Sequence, residues 1–390
     1  MIDFAGIKFK NPFVIASGPI TSKVELLKKA EKHGAIAASI KLTIDEQSFR
    51  GKLRTYSMPG HVIISPIDSR LDVSEGLKLV KDAKRSTSLI LFANMASSGI
   101  DVNGWVELAK KFEKAGADIL ELNFCCPNIG LAISELDGKI EDKSRKIGAV
   151  TGEDPELCSR IVRAIKDKVK IPVVCKIIPG KVDLITLAKS CEKAGIDGLH
   201  VVGEPILGLP PVDIYADGKP LIPLLDGVSY GSTNGPVCKY NTYMVISQLA
   251  RHTKLPLIGS GGLETWQDAI NMIMWGAKLV SACSVIMWKG FETIEGVNKG
   301  IQKFMEEKGY NSYDDFRGQS LKYLTSPDKV RVIEGAAVVD PVICTGCGIC
   351  LKPGHCIAIR INKGKAIVNE NDCIGCGICV NLCPHAAIKI

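Results

Sequence analysis

The sequences CTGCGIC at residues 344–350 and CIGCGICVNLCP at residues 373–384 decide how the last part of this chain folds. Each places three cysteines at C-x2-C-x2-C spacing, and a fourth cysteine follows each run, at Cys356 and Cys383. Glycines between the cysteines allow tight turns, so that several sulfur atoms converge on one point. Four soft thiolate ligands at such spacing are typical of a [4Fe–4S] cluster.

The order of the eight cysteines predicts two clusters that exchange one ligand each. In the two-cluster pattern, the fourth cysteine of each run binds the cluster of the other run. The predicted ligands are Cys344, Cys347, Cys350 and Cys383 for one [4Fe–4S] cluster, and Cys373, Cys376, Cys379 and Cys356 for the second. Zinc knuckles and disulfides are the alternatives, but zinc sites usually combine two C-x2-C pairs. The five residues LKPGH separate Cys350 from Cys356, where such a run usually has about three, so we expect a bulged loop there.

Length and composition limit the class of protein. A chain of 390 residues can hold one large domain and one small one. No apolar run reaches the roughly 18 residues of a membrane span, and the N-terminus MIDFAGIKFKNP lacks the layout of a signal peptide. The net charge of +7 lies mostly on helical faces, which does not favour nucleic-acid binding. The seven cysteines outside the tail have no framework spacing, so we expect a cytoplasmic protein.

From residue 1 to about 305 the sequence alternates short β-rich runs with amphipathic stretches. The candidate strands lie at residues 13–18, 35–42, 88–95, 118–124, 172–179, 198–203, 256–262 and 278–285. The clearest helical patterns lie at residues 24–34, 105–116, 157–169 and 184–195. Glycines at positions 34, 116, 195 and 276 follow helical stretches, where a left-handed glycine commonly ends a helix.

Eight strands that alternate with helices over some 300 residues predict an α/β fold, a (β/α)8 TIM barrel. A doubly wound sheet is the alternative, although it usually needs fewer strands. We place the barrel at residues 1–305, a polar linker with short helical pieces at 306–338, and a small two-[4Fe–4S] ferredoxin domain at 339–390.

Two loops predict a phosphate site at the mouth of this barrel. GSGG at residues 259–262 follows strand 7, and ACS at residues 282–284 follows strand 8. In TIM barrels these loops often hold a phosphate, and glycines let backbone N–H groups approach its oxygens. No G-x-G-x-x-G sequence follows the first strand, so a dinucleotide site of the Rossmann type is not expected. A mononucleotide that exchanges electrons with iron–sulfur clusters fits best, and that is FMN.

Several longer strings extend the pattern over nearly the whole chain: NPFVIASGP at 11–19, ELNFCCPN at 121–128, TGEDPEL at 151–157, CKIIPG at 175–180 and GGLETWQDA at 261–269. With these strings, Lys41 and the cysteine tail, the chain resembles the dihydroorotate dehydrogenase family. Within that family it is similar to the flavin and iron–sulfur subunits of bacterial NAD-dependent dihydropyrimidine dehydrogenases. The resemblance implies an isoalloxazine site formed by Ala16, Ser17, Lys41, Asn94, Asn123 and Lys176. It assigns the ribityl phosphate to Gly235, Gly261, Gly262, Cys283 and Ser284.

Three residues are predicted to take part in catalysis: Thr151, Glu204 and Lys41. Lys41 and Lys176 lie in otherwise apolar strands, where an unpaired charge is costly, and a cation beside the flavin stabilises its anionic reduced form. In the family that the chain resembles, an acid/base residue on a mobile loop, commonly cysteine, lies where this chain has Thr151. A threonine hydroxyl is a poorer acid than a thiol, whose pKa is about 8.5, but it can relay a proton.

The loop after strand 6 departs from the family pattern. An asparagine–threonine pair that reads pyrimidine amide groups corresponds here to Gly203 and Glu204, and Pro205 follows. An ionised Glu204 only accepts hydrogen bonds, so it would leave a pyrimidine carbonyl without a donor and would repel an anionic substrate such as orotate. We therefore expect that neither uracil nor thymine is the preferred substrate.

Together these features predict a flavoenzyme subunit that transfers hydride between FMN and a C=C or CH–CH bond of a small cyclic or conjugated substrate. Electrons would pass through two [4Fe–4S] clusters to or from a partner subunit that binds FAD and oxidises NAD(P)H, in a homo- or hetero-oligomer. One alternative is an electron-transfer protein with a non-catalytic flavin barrel. Another is a dihydroorotate dehydrogenase with an appended ferredoxin domain.

Overall fold

A computed structural model describes residues 1–45, 52–99, 101–126, 147–180, 182–203 and 206–390, and divides into two units, Met1–Tyr323 and Leu324–Ile390. The centre of the first unit consists of the parallel strands β1 Phe13–Ile15, β2 Ala37–Ser39, β3 Ile90–Ala96, β4 Ile119–Asn123, β5 Val173–Ile177, β6 Gly198–Val202, β7 Leu257–Ser260 and β8 Leu279–Ala282. Each strand pairs with the next one along the chain, and β8 pairs with β1, so the sheet closes into a barrel. The predicted (β/α)8 barrel is confirmed, and every strand overlaps its predicted run.

One long helix follows each strand: α1 Val24–Lys32, α2 Val73–Ser86, α3 Val102–Ala115, α4 Pro155–Lys166, α5 Leu184–Lys193, α6 Lys239–His252, α7 Trp266–Met274 and α8 Glu292–Lys308. Side-chain caps fix the start of several helices. Asp154 accepts from the Leu157 backbone N–H at 3.0 Å, and Asp183 accepts from that of Thr186 at 2.9 Å. The glycines predicted to end helices have φ values of 85°, 96°, 91° and 118° at positions 34, 116, 195 and 276. All four are left-handed, as predicted, and turn the chain towards the next strand.

A hairpin of Ile2–Phe4 and Ile7–Phe9 closes the N-terminal end of the barrel. Phe4 and Phe9 are fully buried, with ring centroids 6.1 Å apart. They share one apolar cluster with barrel residues that include Phe92, Ile119 and Val174. The hairpin therefore covers this end of the barrel, and TIM barrels carry their chemistry at the opposite end, where the strands terminate.

Shorter elements lie on that C-terminal side. A four-stranded antiparallel sheet, in the order Ile206–Gly208, Gly231–Asn234, Val62–Ile67 and Arg54–Met58, comes from the loops that follow β2 and β6. The strand Thr43–Ile44 pairs with β3, and Val212–Asp213 pairs with Lys219–Pro220. Two short helices, Ala149–Gly152 and Ser284–Lys289, precede α4 and α8.

The second unit contains two small strand pairs, Val338–Val339 with Ile388–Lys389 and Ile359–Asn362 with Lys365–Val368. It also contains the helix Ile378–Leu382 and single turns of 3-10 helix at Pro327–Lys329, Ile349–Leu351 and Glu370–Asp372. The turns at Tyr313–Asp315 and Gln319–Tyr323 belong to the first unit. Among the described residues, none of the helices combines the length and the apolar character needed to cross a membrane.

Candidate active site

The residues to which the resemblance assigns FMN lie at one end of the barrel. They occupy or follow the last positions of the strands: Ala16 and Ser17 after β1, Lys41 after β2, Asn94 in β3, Asn123 at the end of β4, Lys176 in β5, Gly261 and Gly262 after β7, and Cys283 and Ser284 after β8. Gly235 follows Gly231–Asn234, just before α6. Because all eight strands are parallel, their C-terminal ends meet at the same mouth. The structure therefore brings these residues to one side of the molecule.

Two of the glycines make room that a side chain would fill. Gly262 has a φ of +78°, and a Cβ there would overlap the backbone nitrogen of Lys239, the first residue of α6. Gly235 has a φ of +118°, and a Cβ there would overlap the carbonyl of His61. Glycines let the backbone approach a phosphate group closely, and the N-terminus of a long helix such as α6 favours negative charge. Gly235 and Gly262 therefore fit the ribityl phosphate of FMN.

Lys41 is almost fully buried, with 3% of its surface exposed, and forms an ion pair with Asp68. The same carboxylate binds Arg70, with 2.6 Å between Asp68 Oδ2 and Arg70 Nη1. Burial and the nearby Arg70 lower the pKa of Lys41, and Asp68 opposes them. In the described part of the chain, Asp68 Oδ1 and Arg70 Nε are buried without a hydrogen-bond partner. A polar ligand group can satisfy such atoms.

Asn94 and Asn123 form a hydrogen-bonded pair of buried amides at the mouth. Asn123 Nδ2 donates to Asn94 Oδ1 at 2.8 Å. Asn123 Oδ1 accepts from the backbone N–H of Cys125 at 3.0 Å and from that of Cys126 at 2.7 Å. The turn after β4 is therefore held by an asparagine that the resemblance also places beside the flavin.

The structure adds one candidate catalytic residue that the sequence analysis did not select, Cys126. Its thiol is half-buried and lies 3.5 Å from the Cys125 sulfur. The hydrogen bond with Cys125 lowers the pKa of Cys126 to about 6, against the effect of burial, and the charges of Lys176, Arg70 and Lys41 act in the same direction. Burial raises the pKa of Cys125 well above its usual value, so only one of the two thiols ionises readily. The signal in the sequence was the position of CCPN directly after a strand that ends in the mouth.

The structure places only one of the two other predicted catalytic residues. Thr151 is fully buried in the short helix Ala149–Gly152, and its carbonyl accepts from the Cys158 thiol at 3.3 Å. Glu204 lies outside the described residues. Its neighbour Gly203 is packed so closely that a Cβ would overlap the Thr242 side chain and backbone. The glycine at the end of β6 is therefore required by the packing of α6 against that strand.

The eight tail cysteines line two separate pockets. Cys344, Cys347, Cys350 and Cys383 line one, and Cys356, Cys373, Cys376 and Cys379 line the other. This is the grouping expected from the two-cluster pattern. The inserted loop turns back through a backbone hydrogen bond of 3.0 Å from Cys356 to the Pro353 carbonyl, and Pro353 and His355 line the pocket that contains Cys356. Four cysteines line each pocket, and cysteine thiolates are the ligands that [4Fe–4S] clusters use, so the donor sets fit such clusters.

Backbone N–H groups already point at three of these sulfurs. Ala366 donates to Cys344 at 3.4 Å, Ala337 to Cys373 at 3.5 Å and Ala387 to Cys383 at 3.3 Å. Hydrogen bonds of this kind stabilise the negative charge on cluster sulfurs and help to set the reduction potential.

Comparison with known proteins identifies both parts of the chain. The family described as dihydroorotate dehydrogenase matches residues 1–305, and the 4Fe-4S binding domain matches residues 366–389. The catalytic subunit of dihydroorotate dehydrogenase B (NAD(+)) from Pyrococcus furiosus is 30% identical over 323 residues, which cover 82% of this chain and 98% of the relative. The NAD-dependent dihydropyrimidine dehydrogenase subunit PreA from Escherichia coli (strain K12) is 26% identical over 373 residues, which cover 90% of this chain and 84% of the relative. The chain belongs to the dihydroorotate dehydrogenase family: it is an oxidoreductase that acts on CH–CH bonds, with a flavin-dependent barrel and an iron–sulfur domain at its C-terminal end.

Proposed function

We propose that this chain is a subunit that transfers electrons between a C=C or CH–CH bond of a small substrate and a redox partner, by way of one FMN and two [4Fe–4S] clusters. One observation carries the proposal: the same chain has two matching features. The barrel mouth contains paired amides and buried lysines, and the eight cysteines of the tail line two pockets. When bound, FMN supplies hydride transfer to or from carbon and exchange of single electrons with the clusters.

In this proposal the lysines and amides of the mouth orient the cofactor and balance its charge. Lys41 and Lys176 are buried cations, and a fixed positive charge favours a ring that becomes anionic on reduction. The Asn123 amide nitrogen donates to Asn94 and that of Asn94 donates to Glu121, so one hydrogen remains on each, since each amide nitrogen carries two. These hydrogens suit the carbonyl groups of a flavin or of a substrate ring.

Cys126 moves the proton that accompanies hydride transfer. Its thiol lies at the end of β4, beside the asparagine pair and within the field of Lys41, Arg70 and Lys176. A pKa near 6 lets the group both donate and accept a proton close to neutral pH, which is the condition for efficient acid–base catalysis. Thr151 remains the other candidate, and its hydroxyl is a weaker acid by many orders of magnitude.

The charges of the mouth favour a substrate with carbonyl or carboxylate oxygens. Among the described residues around Cys126, the three cations Lys41, Arg70 and Lys176 outnumber the two carboxylates of Asp68 and Glu121. This surplus of positive charge argues against the expectation that the site repels an anion such as orotate, which depended on Glu204. Uracil and thymine are uncharged and gain less from these cations, so we still expect neither to be the preferred substrate.

A partner subunit completes the proposed electron path. The two relatives are themselves named as subunits, one NAD-dependent and one a catalytic subunit of an NAD(+) enzyme. This chain lacks a G-x-G-x-x-G sequence after its first strand, so a separate FAD subunit that oxidises NAD(P)H fits the role.

Anaerobic turnover with a chemical electron donor tests the proposal. The full-length chain, loaded with FMN and iron, is assayed against orotate, uracil, thymine and open-chain conjugated acids. We expect reduction of at least one ring substrate, with orotate used better than uracil. Rapid electron exchange between flavin and clusters without reduction of any C=C substrate would instead indicate an electron-transfer protein with a non-catalytic barrel.

A further inference from the structure

The interior of the barrel contains a polar layer that the proposed chemistry does not use. Ser39 in β2, Glu121 in β4, His200 in β6 and Ser281 in β8 are all fully buried. They come from alternate strands, which is how side chains form one layer inside a TIM barrel. Such layers are usually filled by branched apolar residues, so four hydrogen-bonded polar side chains need a separate explanation.

Glu121 is the acceptor at the centre of this layer. Its Oε1 lies 2.5 Å from His200 Nδ1, and its Oε2 accepts from Ser39 Oγ at 2.5 Å and from the Asn94 amide. Burial alone would raise the pKa of Glu121, but His200, Lys176 and Ser39 outweigh it and lower the pKa. The side chain is therefore a carboxylate, which can only accept hydrogen bonds.

The charge on Glu121 fixes the direction of every hydrogen bond around it. Burial lowers the pKa of His200, although Glu121 opposes this effect, and we take the ring as neutral. Its Nδ1 carries the proton because Glu121 cannot donate. His200 Nε2 then accepts from the Ser281 hydroxyl at 2.7 Å. On the other side, Asn94 must turn its NH2 group to Glu121, which leaves Asn94 Oδ1 to accept from Asn123.

The chain of hydrogen bonds continues to the catalytic thiol. Because Asn123 donates to Asn94, its Oδ1 faces the turn after β4 and accepts from both backbone N–H groups there. The Cys125 thiol lies 3.2 Å from the same oxygen and 3.5 Å from the Cys126 sulfur. The path from Ser281 to Cys126 thus runs without a break across the barrel.

We infer that His200 is a positioning residue for the active site: through Glu121 it sets the orientation of the Asn94 and Asn123 amides, and through them the place of the Cys126 thiol and of the flavin ring. The inference rests on the proposed function in that Cys126 is taken as the acid/base group. Without the His200 donor, the buried carboxylate of Glu121 takes up a proton and donates to Asn94. Both amides can then turn over, and the turn that carries Cys126 loses its acceptor.

Two variants at this position separate the hydrogen-bond donor from packing. His200→Asn keeps an N–H donor near the position of Nδ1, whereas His200→Leu fills nearly the same space without a donor. The readout is alkylation of the full-length chain by iodoacetamide as a function of pH, with the rate at Cys126 measured by mass spectrometry of its peptide. FMN affinity and thermal unfolding are measured on the same samples.

We expect His200→Leu to slow alkylation of Cys126 at pH 7 by about tenfold and to weaken FMN binding by a similar factor, the effect of losing a hydrogen bond to a charged group. His200→Asn should stay within about threefold of the wild type in both. If both variants alkylate at the wild-type rate, or if both lose the same amount of reactivity, the inference is overturned. Wild-type protein that binds no FMN would defeat the proposed function, but the alkylation comparison would still decide the role of His200.

A second pair of variants, with smaller changes, tests the inference even if His200→Leu does not fold. Ser281→Ala removes the far end of the chain of hydrogen bonds, and Ser247→Ala removes a buried hydroxyl that donates to the Met244 carbonyl of its own helix, at 2.8 Å. We expect a two- to threefold slower alkylation of Cys126 in Ser281→Ala and no change in Ser247→Ala, since distant members of such networks have small effects. Equal rates in the two serine variants would overturn the inference.

Discussion

At the scale of single residues, the reactivity of the site depends on charges that come from separate parts of the chain. Cys126 follows β4, Lys41 follows β2, Lys176 lies in β5 and Arg70 lies in the connection before α2. The hydrogen bond with Cys125 lowers the pKa of Cys126 most, and these cations lower it further because they stabilise the thiolate form. The acidity of Cys126 is therefore a property of the folded barrel and disappears when the chain unfolds.

The first prediction concerns the pH dependence of turnover. In the direction of substrate reduction Cys126 must donate a proton, so kcat/KM should fall as the pH rises through about 6. In the direction of oxidation the thiolate must accept a proton, so kcat/KM should rise over the same range. Measuring the pH profile in both directions, under anaerobic conditions, checks the opposite slopes.

The second prediction compares the two candidate proton donors. Cys126→Ser should lower turnover by roughly 10²-fold or more and abolish the slope near pH 6, because a serine hydroxyl does not ionise there. Thr151→Val should keep the slope and the flavin and cluster spectra. A normal pH dependence of kcat/KM in Cys126→Ser, together with a large loss of turnover in Thr151→Val, would indicate that Thr151 is the acid/base residue.

The sequence shows which residues carry charge, but it does not show which of them lie in contact in the folded chain. Lys41 and Lys176 were expected to be buried and functional because an apolar strand seldom contains a lysine, and both are buried at the mouth. Asp68 and Arg70 were not selected, since their contact with Lys41 depends on how the long connection after β2 folds back. Cys126 was part of a quoted string, but its neighbours in space were unknown.

At the scale of elements, β6 illustrates a different constraint. Gly203 follows this strand and packs against Thr242 in the first turn of α6. The Thr242 hydroxyl also donates to the carbonyl of Gly261 at 2.8 Å. The contact joins the end of β6 to the loop assigned to the phosphate. A larger residue at this position would disturb both.

The third prediction follows from this packing. Gly203→Ala should destabilise the barrel by about 1–3 kcal/mol, the usual effect of overpacking, and should weaken FMN binding. Gly296→Ala is the matched control, because Gly296 lies in α8 with open space around its Cα and alanine favours helices. Thermal unfolding followed by circular dichroism measures both variants. Equal stability of the two variants would mean that β6 and α6 can move apart at this contact at little cost in free energy.

The fourth prediction concerns the loop inserted before Cys356. Cys356→Ala should remove one cluster, about four irons, and leave the other, because Cys356 lines only the pocket with Cys373, Cys376 and Cys379. Cys158→Ala should leave the iron content unchanged, since Cys158 is buried in α4. Iron analysis with electron paramagnetic resonance of the reduced protein distinguishes the two results. Equal iron loss from both variants would contradict the ligand assignment.

Most elements could be predicted because their signals are local. Alternating apolar runs and amphipathic stretches predicted all eight barrel strands, and glycines after helices predicted four left-handed helix ends, at positions 34, 116, 195 and 276. The polar layer of Glu121 and His200 gave no such signal. Barrel strands are buried on both faces, so a single polar residue within an apolar run does not reveal its partners on other strands.

At the scale of the whole molecule, the chain joins a flavin-dependent barrel to an iron–sulfur unit. The matched 4Fe-4S domain covers the second cysteine run, and the pocket around Cys344, Cys347, Cys350 and Cys383 supports a second cluster. FMN exchanges electrons in pairs with a substrate and singly with clusters, so one chain with both can link the two kinds of transfer. The number of clusters is therefore central to how the protein works.

The most direct test is the iron and flavin content of the full-length protein purified without oxygen. We predict about eight irons, eight acid-labile sulfides and one FMN per chain, which corresponds to two [4Fe–4S] clusters and one flavin. The flavin should be released as FMN on denaturation, and its absorbance should bleach together with that of the clusters on reduction. About four irons in folded protein, or a full set of iron without flavin in a protein that does not take up added FMN, would contradict the proposed function.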